Sequence, residues 1–335
     1  MTTYRAFEVT GPRQFTQVER PLAEPGPGRV RVRVQACGIC HTDALAVERE
    51  RTNAIVPGHE IAGVIDAVGD GVRAWHAGER VGIGFLGGHC GECDPCRRGD
   101  FVNCADQPRI GVDADGGYAE YVEVRTSGLA RIPDGLSAVD AAPLLCAGIT
   151  TYRALVQPVL RPGSLVAVQG IGGLGHLGVQ YAKALGHRVV AIARGTEKAG
   201  LAEKLGADHY LDSSATDPGA ALQKLGGAAV IVATAASGTS MSPLVPGLAP
   251  NGQLIVVGAA PDPISVRTGD LINGTRTVTG SLTGSAIENE DSLSFAAARA
   301  VRPMVEVLPW TRVPEAYERM MSGKARFRVV LDHGA

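Results

Sequence analysis

Four of the seven cysteines in this 335-residue chain lie in one 15-residue segment, Cys90-Gly-Glu-Cys93-Asp-Pro-Cys96 followed after seven residues by Cys104. Two-residue gaps let a tight turn aim successive thiolates at one ion, and the longer gap brings the chain back to close the tetrahedron that zinc prefers. The alternative is a pair of disulfides, which suits a small secreted scaffold. The length of the chain and a start without the apolar stretch of a signal peptide favour zinc.

The composition is that of a globular protein. At this length, an apolar fraction of 45% supplies enough side chains for two hydrophobic cores. The net charge of −2 gives no basic field for nucleic acid, and no apolar run reaches the ~18 residues of a membrane span. We therefore expect a soluble, cytoplasmic protein whose partner is a small molecule. The basic stripe Arg29–Val34 alternates strictly, which predicts a half-buried strand with its arginines outward rather than a phosphate-binding surface.

The hydrophobic periodicity divides the chain into two domains. Up to about residue 135, short alternating segments between Gly and Pro turns predict an irregular, mostly β domain. From about residue 150, helical patterns alternate with short apolar runs, which predicts a parallel doubly wound sheet. After about residue 280, a helix near Val313–Ser322 and a strand at Arg326–Leu331 are expected to rejoin the first domain. The predicted domains are 1–148 with 281–335, and 149–280.

The predicted strands of the second domain are spaced as in βαβ units, whereas those of the first are short alternating segments between turns. The first domain has Val30–Val34, Ile61–Val68, Arg80–Ile83 and Tyr118–Val124, and the second has Leu165–Gln169, Arg188–Ala193, Val230–Thr234 and Gln253–Gly258.

A glycine-rich turn follows the first strand of the second domain and leads into an amphipathic helix, His176 to Leu185. Glycines at such a junction permit a tight turn and the close approach of a pyrophosphate to the helix N-terminus, whose unpaired N–H groups attract anions. A plain structural loop is the alternative, but the strand before, the helix after and a second strand about 20 residues on favour a dinucleotide site. The predicted cofactor contacts are Gly170, Gly172, Gly173, Leu174 and Gly175.

The end of the second strand bears on which nicotinamide cofactor is bound. An NAD site normally places Asp or Glu there against the ribose 2′-hydroxyl, whereas this chain has Ala193. Arg194, Thr196 and Lys198 are suited to a 2′-phosphate, so NADP(H) is favoured over NAD(H). Glu197 lies deeper in the loop, and a shift of the turn by one or two residues would restore an NAD site.

Three separate fragments hold further metal-ligating side chains. Cys40 precedes His41, Thr42 and Asp43, His59 precedes Glu60, and Cys146 stands alone before the dinucleotide domain. A catalytic zinc takes three protein ligands and keeps an open position, and two cysteines with one histidine form such a set. Taken singly, Cys146 also suits a small buried apolar side chain and His59 a hydrogen-bonded core histidine.

The run from Gly58-His-Glu-Ile-Ala-Gly63 to Val72 resembles the zinc-site pattern of the zinc-containing alcohol dehydrogenases of the medium-chain dehydrogenase/reductase superfamily. The resemblance extends over essentially the whole chain. It implies an α/β fold, with a GroES-like, mostly β catalytic domain and a Rossmann domain containing a doubly wound parallel sheet. It also implies two zinc ions per chain.

The resemblance implies a role for each matching residue. Cys40, His59 and Cys146 would bind the catalytic zinc, Glu60 would be a neighbouring or alternate ligand, and Asp43 would orient His59. Thr42 would take the substrate proton, and His41 and Arg328 would face the pyrophosphate. Cys90, Cys93, Cys96 and Cys104 match the structural zinc loop, so Cys37 is left without a metal.

One departure from the family concerns proton exit. Many relatives carry a histidine five residues after the first ligand cysteine, where this chain has Leu45.

The substrate is expected to be a medium-chain or aromatic primary alcohol or its aldehyde, in a pocket lined by Phe85, Leu86 and the region near Leu45. Reduction of an imine or an activated C=C bond is the enzymatic alternative, and a non-catalytic redox-sensing protein is the other. A homodimer or homotetramer is expected, with Thr277–Leu282 as its sheet edge.

Overall fold

The computed structural model describes residues 2–334. The strands within that range are β1 (Thr3–Val9), β2 (Phe15–Pro21), β3 (Arg29–Ile39), β4 (Glu60–Val68), β5 (Arg80–Ile83), β6 (Tyr121–Arg125), β7 (Leu129–Arg131), β8 (Leu165–Gln169), β9 (Arg188–Ala193), β10 (His209–Asp212), β11 (Ala228–Ala233), β12 (Leu248–Val256), β13 (Thr277–Gly280), β14 (Val305–Pro309) and β15 (Arg328–Asp332).

Most helices are short. The α-helices are α1 (Ala44–Val47), α2 (Asp94–Arg97), α3 (Ala138–Pro143), α4 (Ile149–Val156), α5 (Gly175–Ala184), α6 (Ala199–Lys204), α7 (Pro218–Lys224), α8 (Gly238–Met241), α9 (Thr268–Ile272), α10 (Ala286–Ala298) and α11 (Val313–Met321). The 3₁₀ helices are His41–Asp43, Phe101–Asn103, Thr126–Gly128, Ser242–Gly247 and Trp310–Arg312, and Leu144–Gly148 is a π-helix. Across residues 2–334, no helix has both the length and the apolar character needed to span a membrane.

The chain forms two compact units, residues 1–149 with 283–335, and residues 150–282. In the first unit, a sheet of seven strands runs β14-β15-β3-β4-β5-β7, and β6 also pairs with β3. Strand β3 is central because it pairs antiparallel with β15, β4 and β6. Val30, Val32 and Val34 of β3 are buried, while the alternating arginines are partly or fully exposed, which confirms the predicted half-buried strand.

The second unit has a six-stranded sheet in the order β10-β9-β8-β11-β12-β13, with every neighbouring pair parallel. Strand β8 is buried along its whole length, as expected for a strand covered on both faces. The two predicted fold types are therefore present, a mostly β unit and a doubly wound parallel sheet. Strand β13 lies at the edge of its sheet, so Thr277–Gly280 has the edge position that the sequence predicted.

Several predicted strand bounds are wrong at their ends. Strand β6 begins at Tyr121 rather than Tyr118, because the backbone of Tyr118 pairs with Phe7 and Pro57 outside the ladder. Strand β12 begins at Leu248, five residues before the predicted start, and β15 begins at Arg328. Strand β3 continues to Ile39, which carries the chain directly to Cys40.

Candidate metal centres and dinucleotide site

The four clustered cysteines lie around one point. All are unpaired thiols, with the Sγ atom of Cys104 at 3.6 Å from that of Cys90 and 3.9 Å from that of Cys93. The four Sγ atoms lie within 4.8 Å of one another. Four sulfurs placed tetrahedrally at ~2.3 Å from zinc are about 3.8 Å apart, whereas disulfide sulfurs are ~2.05 Å apart. The residues present therefore fit zinc and do not fit two disulfides.

Backbone N–H groups stabilise the thiolates of this cluster. The amides of Glu92 and Cys93 donate to Sγ of Cys90 at 3.5 and 3.4 Å, and these bonds lower the pKa of that thiol. The amide of Ala105 donates to Sγ of Cys93 and is the largest of the influences that lower its pKa to about 6. Burial raises the pKa of Cys96 to about 12. A site with some thiols already inclined to ionise is suited to a cation, since the thiolate is the form that binds metals.

A second cluster is buried in the first unit. Cys40 follows the end of β3, His59 precedes β4, Glu60 is its first residue, and Cys146 lies in the π-helix. Because β3 and β4 pair antiparallel with Gly38 opposite Glu60, Cys40 is brought beside His59. One ligand atom from each of the four residues lies within 4.8 Å of the others. Single turns of π-helix frequently occur at functional sites.

Two buried atoms show that this cluster fits a metal ion. Nε2 of His59 and Oε2 of Glu60 have no hydrogen-bond partner among residues 2–334. Buried polar atoms are rarely left unpaired, because losing water without a replacement partner costs about 1–3 kcal/mol. The Sγ atoms of Cys40 and Cys146 are 3.9 Å apart, close to the separation expected for two zinc-bound sulfurs.

The two thiols of this cluster have opposite acidities. Contact with Cys146 lowers the pKa of Cys40 well below its usual range, and His59 and Arg328 act in the same direction. The same contact, together with burial, raises the pKa of Cys146. The pair therefore favours a single negative charge, on Cys40, until a cation is present to balance a second one.

Asp43 orients the histidine of the cluster. Nδ1 of His59 lies 2.7 Å from Oδ1 of Asp43, and the amide of Cys40 donates to Oδ2 at 2.9 Å. The hydroxyl of Tyr118 donates to the same Oδ2 atom at 2.8 Å. The carboxylate raises the pKa of His59, and in a neutral, metal-binding ring it keeps the proton on Nδ1 so that Nε2 presents its lone pair to the ion.

A buried ion pair lies beside these ligands. The guanidinium of Arg328 donates to Oε1 of Glu60 and to the carbonyl of Ile39, the latter at 3.0 Å. Burial raises the pKa of Glu60 to about 7, although Arg328 acts in the opposite direction. The family resemblance implied that Arg328 faces the pyrophosphate of the cofactor. In the structure its guanidinium donates to Glu60, and the contact with the cofactor stays a prediction.

The remaining predicted residues of the first unit lie beside the ligands in the chain or are buried elsewhere in the unit. His41 is exposed and Thr42 is half-buried in the 3₁₀ helix after Cys40. The ring of Phe85 packs edge-on against His59, with 5.3 Å between centroids. Leu86 is buried. Sequence reasoning assigned no role to Tyr118, and the signal that could have found it is the glycine pair that precedes it in Gly116-Gly-Tyr118.

The glycine turn of the second unit has the shape of an anion cradle. Gly170 follows β8 with φ of +90°, a conformation that favours glycine. A Cβ atom on Gly175 would collide with the carbonyl of Gly170, whereas one on Gly172 would meet no protein atom within 4 Å. Gly172 therefore leaves open space at the N-terminus of α5, where N–H groups are available to an anion.

A cavity of about 780 Å³ extends from this turn to the end of β9. Arg194 and Lys198 line it together with Glu197, whereas Thr196 is exposed and does not line it. The ammonium of Lys198 donates to the carbonyl of Ile171 at 2.8 Å, which joins the loop to the glycine turn. A volume of this size is typical of ligand and cofactor sites, which span about 300–1,000 Å³.

Comparison with known proteins gives concordant matches. Residues 26–134 match the alcohol dehydrogenase GroES-like domain, and residues 173–298 match the zinc-binding dehydrogenase family. The chain is 42% identical over 319 residues to alcohol dehydrogenase notN of Aspergillus sp. (strain MF297-2), covering 95% of this chain and 94% of that one.

Two solved structures extend the likeness to three dimensions. A cinnamyl alcohol dehydrogenase from Sorghum bicolor superposes with a TM-score of 0.87 at 32% identity, covering 99% of this chain and 98% of its own. CAD from Helicobacter pylori, solved in complex with NADP(H), superposes with a TM-score of 0.85 at 29% identity, with the same coverage of 99% and 98%.

Proposed function

The chain belongs to the zinc-type alcohol dehydrogenases of the medium-chain dehydrogenase/reductase superfamily, and on that premise we propose that it is a zinc-dependent enzyme for a primary alcohol and its aldehyde. Family membership gives the reaction class, hydride transfer between a nicotinamide cofactor and an alcohol or carbonyl carbon. The observation that carries the zinc requirement is the buried cluster of Cys40, His59, Glu60 and Cys146, with Nε2 of His59 unpaired and aimed at its neighbours' ligand atoms.

The proposed mechanism assigns one task to each side chain. Bound zinc would act as a Lewis acid that polarises the carbonyl or stabilises the alkoxide. Cys40, His59 and Cys146 would hold it in a buried site, and Asp43, at Nδ1 of His59, would keep the neutral ring in the tautomer whose Nε2 can bind the ion. In the direction of reduction, the carbonyl carbon would accept hydride from the reduced nicotinamide. The hydroxyl of Thr42 would pass its proton to the substrate oxygen and take another from the ribose side of the cofactor.

We propose NADP(H) as the preferred cofactor. Arg194 and Lys198 line the cavity at the end of β9, where a 2′-phosphate would be bound, and Ala193 presents no carboxylate there. Ser213 lines the same cavity and adds a hydroxyl, whereas the hydroxyl of Ser214 donates to Asp212. Glu197 also lines it, so an NAD preference is the outcome that would assign this carboxylate to the ribose instead.

A medium-chain or aromatic substrate is supported by two observations. Aromatic residues make up only 4% of the chain, which leaves few bulky side chains to fill a cleft. The similar sorghum protein is named a cinnamyl alcohol dehydrogenase, and cinnamyl alcohol is an aromatic primary alcohol. Imine reduction on the same metal cluster is the second candidate, since the intact ligands serve either reaction.

The first experiment measures initial rates of benzaldehyde reduction with NADPH and with NADH on protein of known zinc content. Two zincs per chain with faster turnover at low NADPH support the proposal in full. An NADH preference rejects the cofactor assignment alone, and fewer than two zincs rejects the metal assignment. Two zincs without turnover of any primary aldehyde favours the imine alternative.

We also propose a homodimer or homotetramer that associates along β13. This strand is the edge of its sheet, and Leu282 just beyond it is 52% exposed. A strand at the edge of a sheet offers unpaired backbone N–H and C=O groups to a second copy. A monomeric mass by light scattering at micromolar concentration would reject this assembly.

A further inference from the structure

Tyr118 is fully buried and tied to the segment that carries a metal ligand. Its amide donates to the carbonyl of Pro57 at 3.0 Å, and the amide of Gly117 donates to the carbonyl of Gly58 at 2.9 Å. The tyrosine ring therefore lies against the residues immediately before His59. Glycine at position 58 is needed for this packing, because a Cβ atom there would lie 2.5 Å from Cδ1 of Tyr118.

The hydroxyl of this tyrosine reaches the carboxylate that orients His59. It donates to Oδ2 of Asp43 at 2.8 Å, and the amide of Cys40 donates to the same atom at 2.9 Å. Oδ1 of Asp43 is then left for Nδ1 of His59. The carboxylate is only 1% exposed, so Tyr118 supplies one of three hydrogen bonds to an anion that water does not reach.

Loss of one of these bonds has a defined consequence. A buried carboxylate is held in place by its donors, and hydrogen bonds to a charged group contribute about 1.5–3 kcal/mol. Without the hydroxyl, Asp43 would be free to rotate about its terminal bond, and the ring of His59 that it holds would lose its fixed direction. Groups that orient a metal ligand in this way typically change metal affinity or activity by about 10–100-fold when they are removed.

We propose that Tyr118 is a positioning residue of the buried metal cluster, which holds Asp43 so that Nε2 of His59 points to the ion. This inference rests on the proposed zinc-dependent function and extends it by a residue that touches neither substrate nor metal. It separates the two halves of the tyrosine side chain, since the ring packs against Gly58 and the oxygen alone acts on Asp43.

The test is the variant Tyr118→Phe, which removes only the oxygen and keeps the ring. Zinc release to an excess of a chromophoric chelator is followed for the parent and the variant. We expect the zinc of the buried cluster to leave about 10–100-fold faster, while the zinc of the four-cysteine loop leaves at the parent rate. The two sites in one chain thus provide an internal reference. Tyr121→Phe, which removes the hydroxyl of a nearby tyrosine facing Tyr4, is the matched control.

A second measurement distinguishes positioning from a general loss of stability. The visible absorption of Co²⁺ substituted into the buried cluster reports ligand geometry, and we expect its band to shift or broaden in Tyr118→Phe but not in Tyr121→Phe. Parent-like zinc release together with a parent-like Co²⁺ spectrum overturns the proposal. If the parent itself binds no zinc at the buried cluster, the proposed function fails first and the role of Tyr118 fails with it.

Discussion

Arg328 donates its guanidinium to the carboxylate of Glu60 across 268 residues of sequence, and both side chains are buried. Because both side chains are buried, water cannot take the place of either partner. Breaking such a pair from one side leaves an uncompensated buried charge, which typically costs about 3–5 kcal/mol.

Arg328→Leu is therefore expected to lower the free energy of unfolding by about 3–5 kcal/mol. Arg312→Leu is the control, since Arg312 pairs with Glu315 at the surface, where both side chains are about half exposed and a salt bridge contributes at most about 1 kcal/mol. Urea unfolding of the two variants measures the difference. Equal losses in the two variants would show that the buried pair does not stabilise the fold.

A substitution in the four-cysteine loop and a substitution of Cys37 should have different effects on the zinc content of the protein. Cys104→Ala removes a sulfur that lies 3.6 Å from Sγ of Cys90, so we expect the zinc content to fall by one ion per chain. Cys37→Ala changes an equally reduced cysteine outside both clusters, and zinc content should stay at the parent value. Elemental analysis of the purified variants decides this. Loss of zinc from Cys37→Ala would contradict the ligand assignment.

Two glycines of one turn should respond differently to the same substitution. Gly172→Ala places a methyl group in space that no protein atom occupies within 4 Å, so we expect parent-like stability and a KM for the cofactor raised at least ~10-fold. Gly175→Ala drives its methyl group into the carbonyl of Gly170, so the turn itself should be destabilised. Thermal unfolding and cofactor titration separate these effects. A Gly172→Ala variant with parent-like cofactor binding would show that the cofactor does not approach this turn.

Arg194→Ala tests the cofactor preference. If the guanidinium binds the 2′-phosphate, its loss should raise the KM for NADPH by roughly 10-fold or more, since charge-assisted bonds contribute about 1.5–3 kcal/mol. The KM for NADH should change little. Steady-state kinetics with both cofactors measures the ratio, and a parallel change in both would assign Arg194 to the part of the cofactor that they share.

His333 should make stability depend on pH in mildly acidic solution. Its ring stacks on Trp310 with 5.0 Å between centroids, and burial lowers its pKa from the usual 6.5 to about 4. Because the folded state binds the proton less readily than the unfolded state, this contribution is fully present above pH 6.5 and is lost as the pH falls toward 4. The change corresponds to at most about 3 kcal/mol.

The variant His333→Phe keeps a ring against Trp310 and removes the titrating group. We expect the difference in unfolding free energy between parent and variant to vary between pH 6.5 and 4 and to be constant above pH 7. A difference that stays constant over the whole range would show that His333 is not buried in its neutral form.

How far sequence predicts this structure depends on the range of the interactions involved. Periodicity predicted β8 and β9 to the residue, because a parallel strand buried on both faces has a local pattern of apolar residues. It placed the start of β6 at Tyr118, since alternation does not show that this backbone pairs with Phe7 and Pro57. The candidate metal ligands were predicted through a family pattern, whereas the contacts of Tyr118 with Asp43 and of Arg328 with Glu60 required the tertiary structure.

The two partners of the buried ion pair are synthesised far apart in time, because 268 residues of sequence separate them. All four residues of the buried cluster lie before residue 147, whereas Arg328 lies in the segment that rejoins the first unit after the second one. The cluster residues therefore leave the ribosome first, at a time when the carboxylate of Glu60 does not yet have Arg328 as its partner. That charge is matched once β15 pairs with β3, so a strand made after the whole second unit completes the surroundings of the cluster.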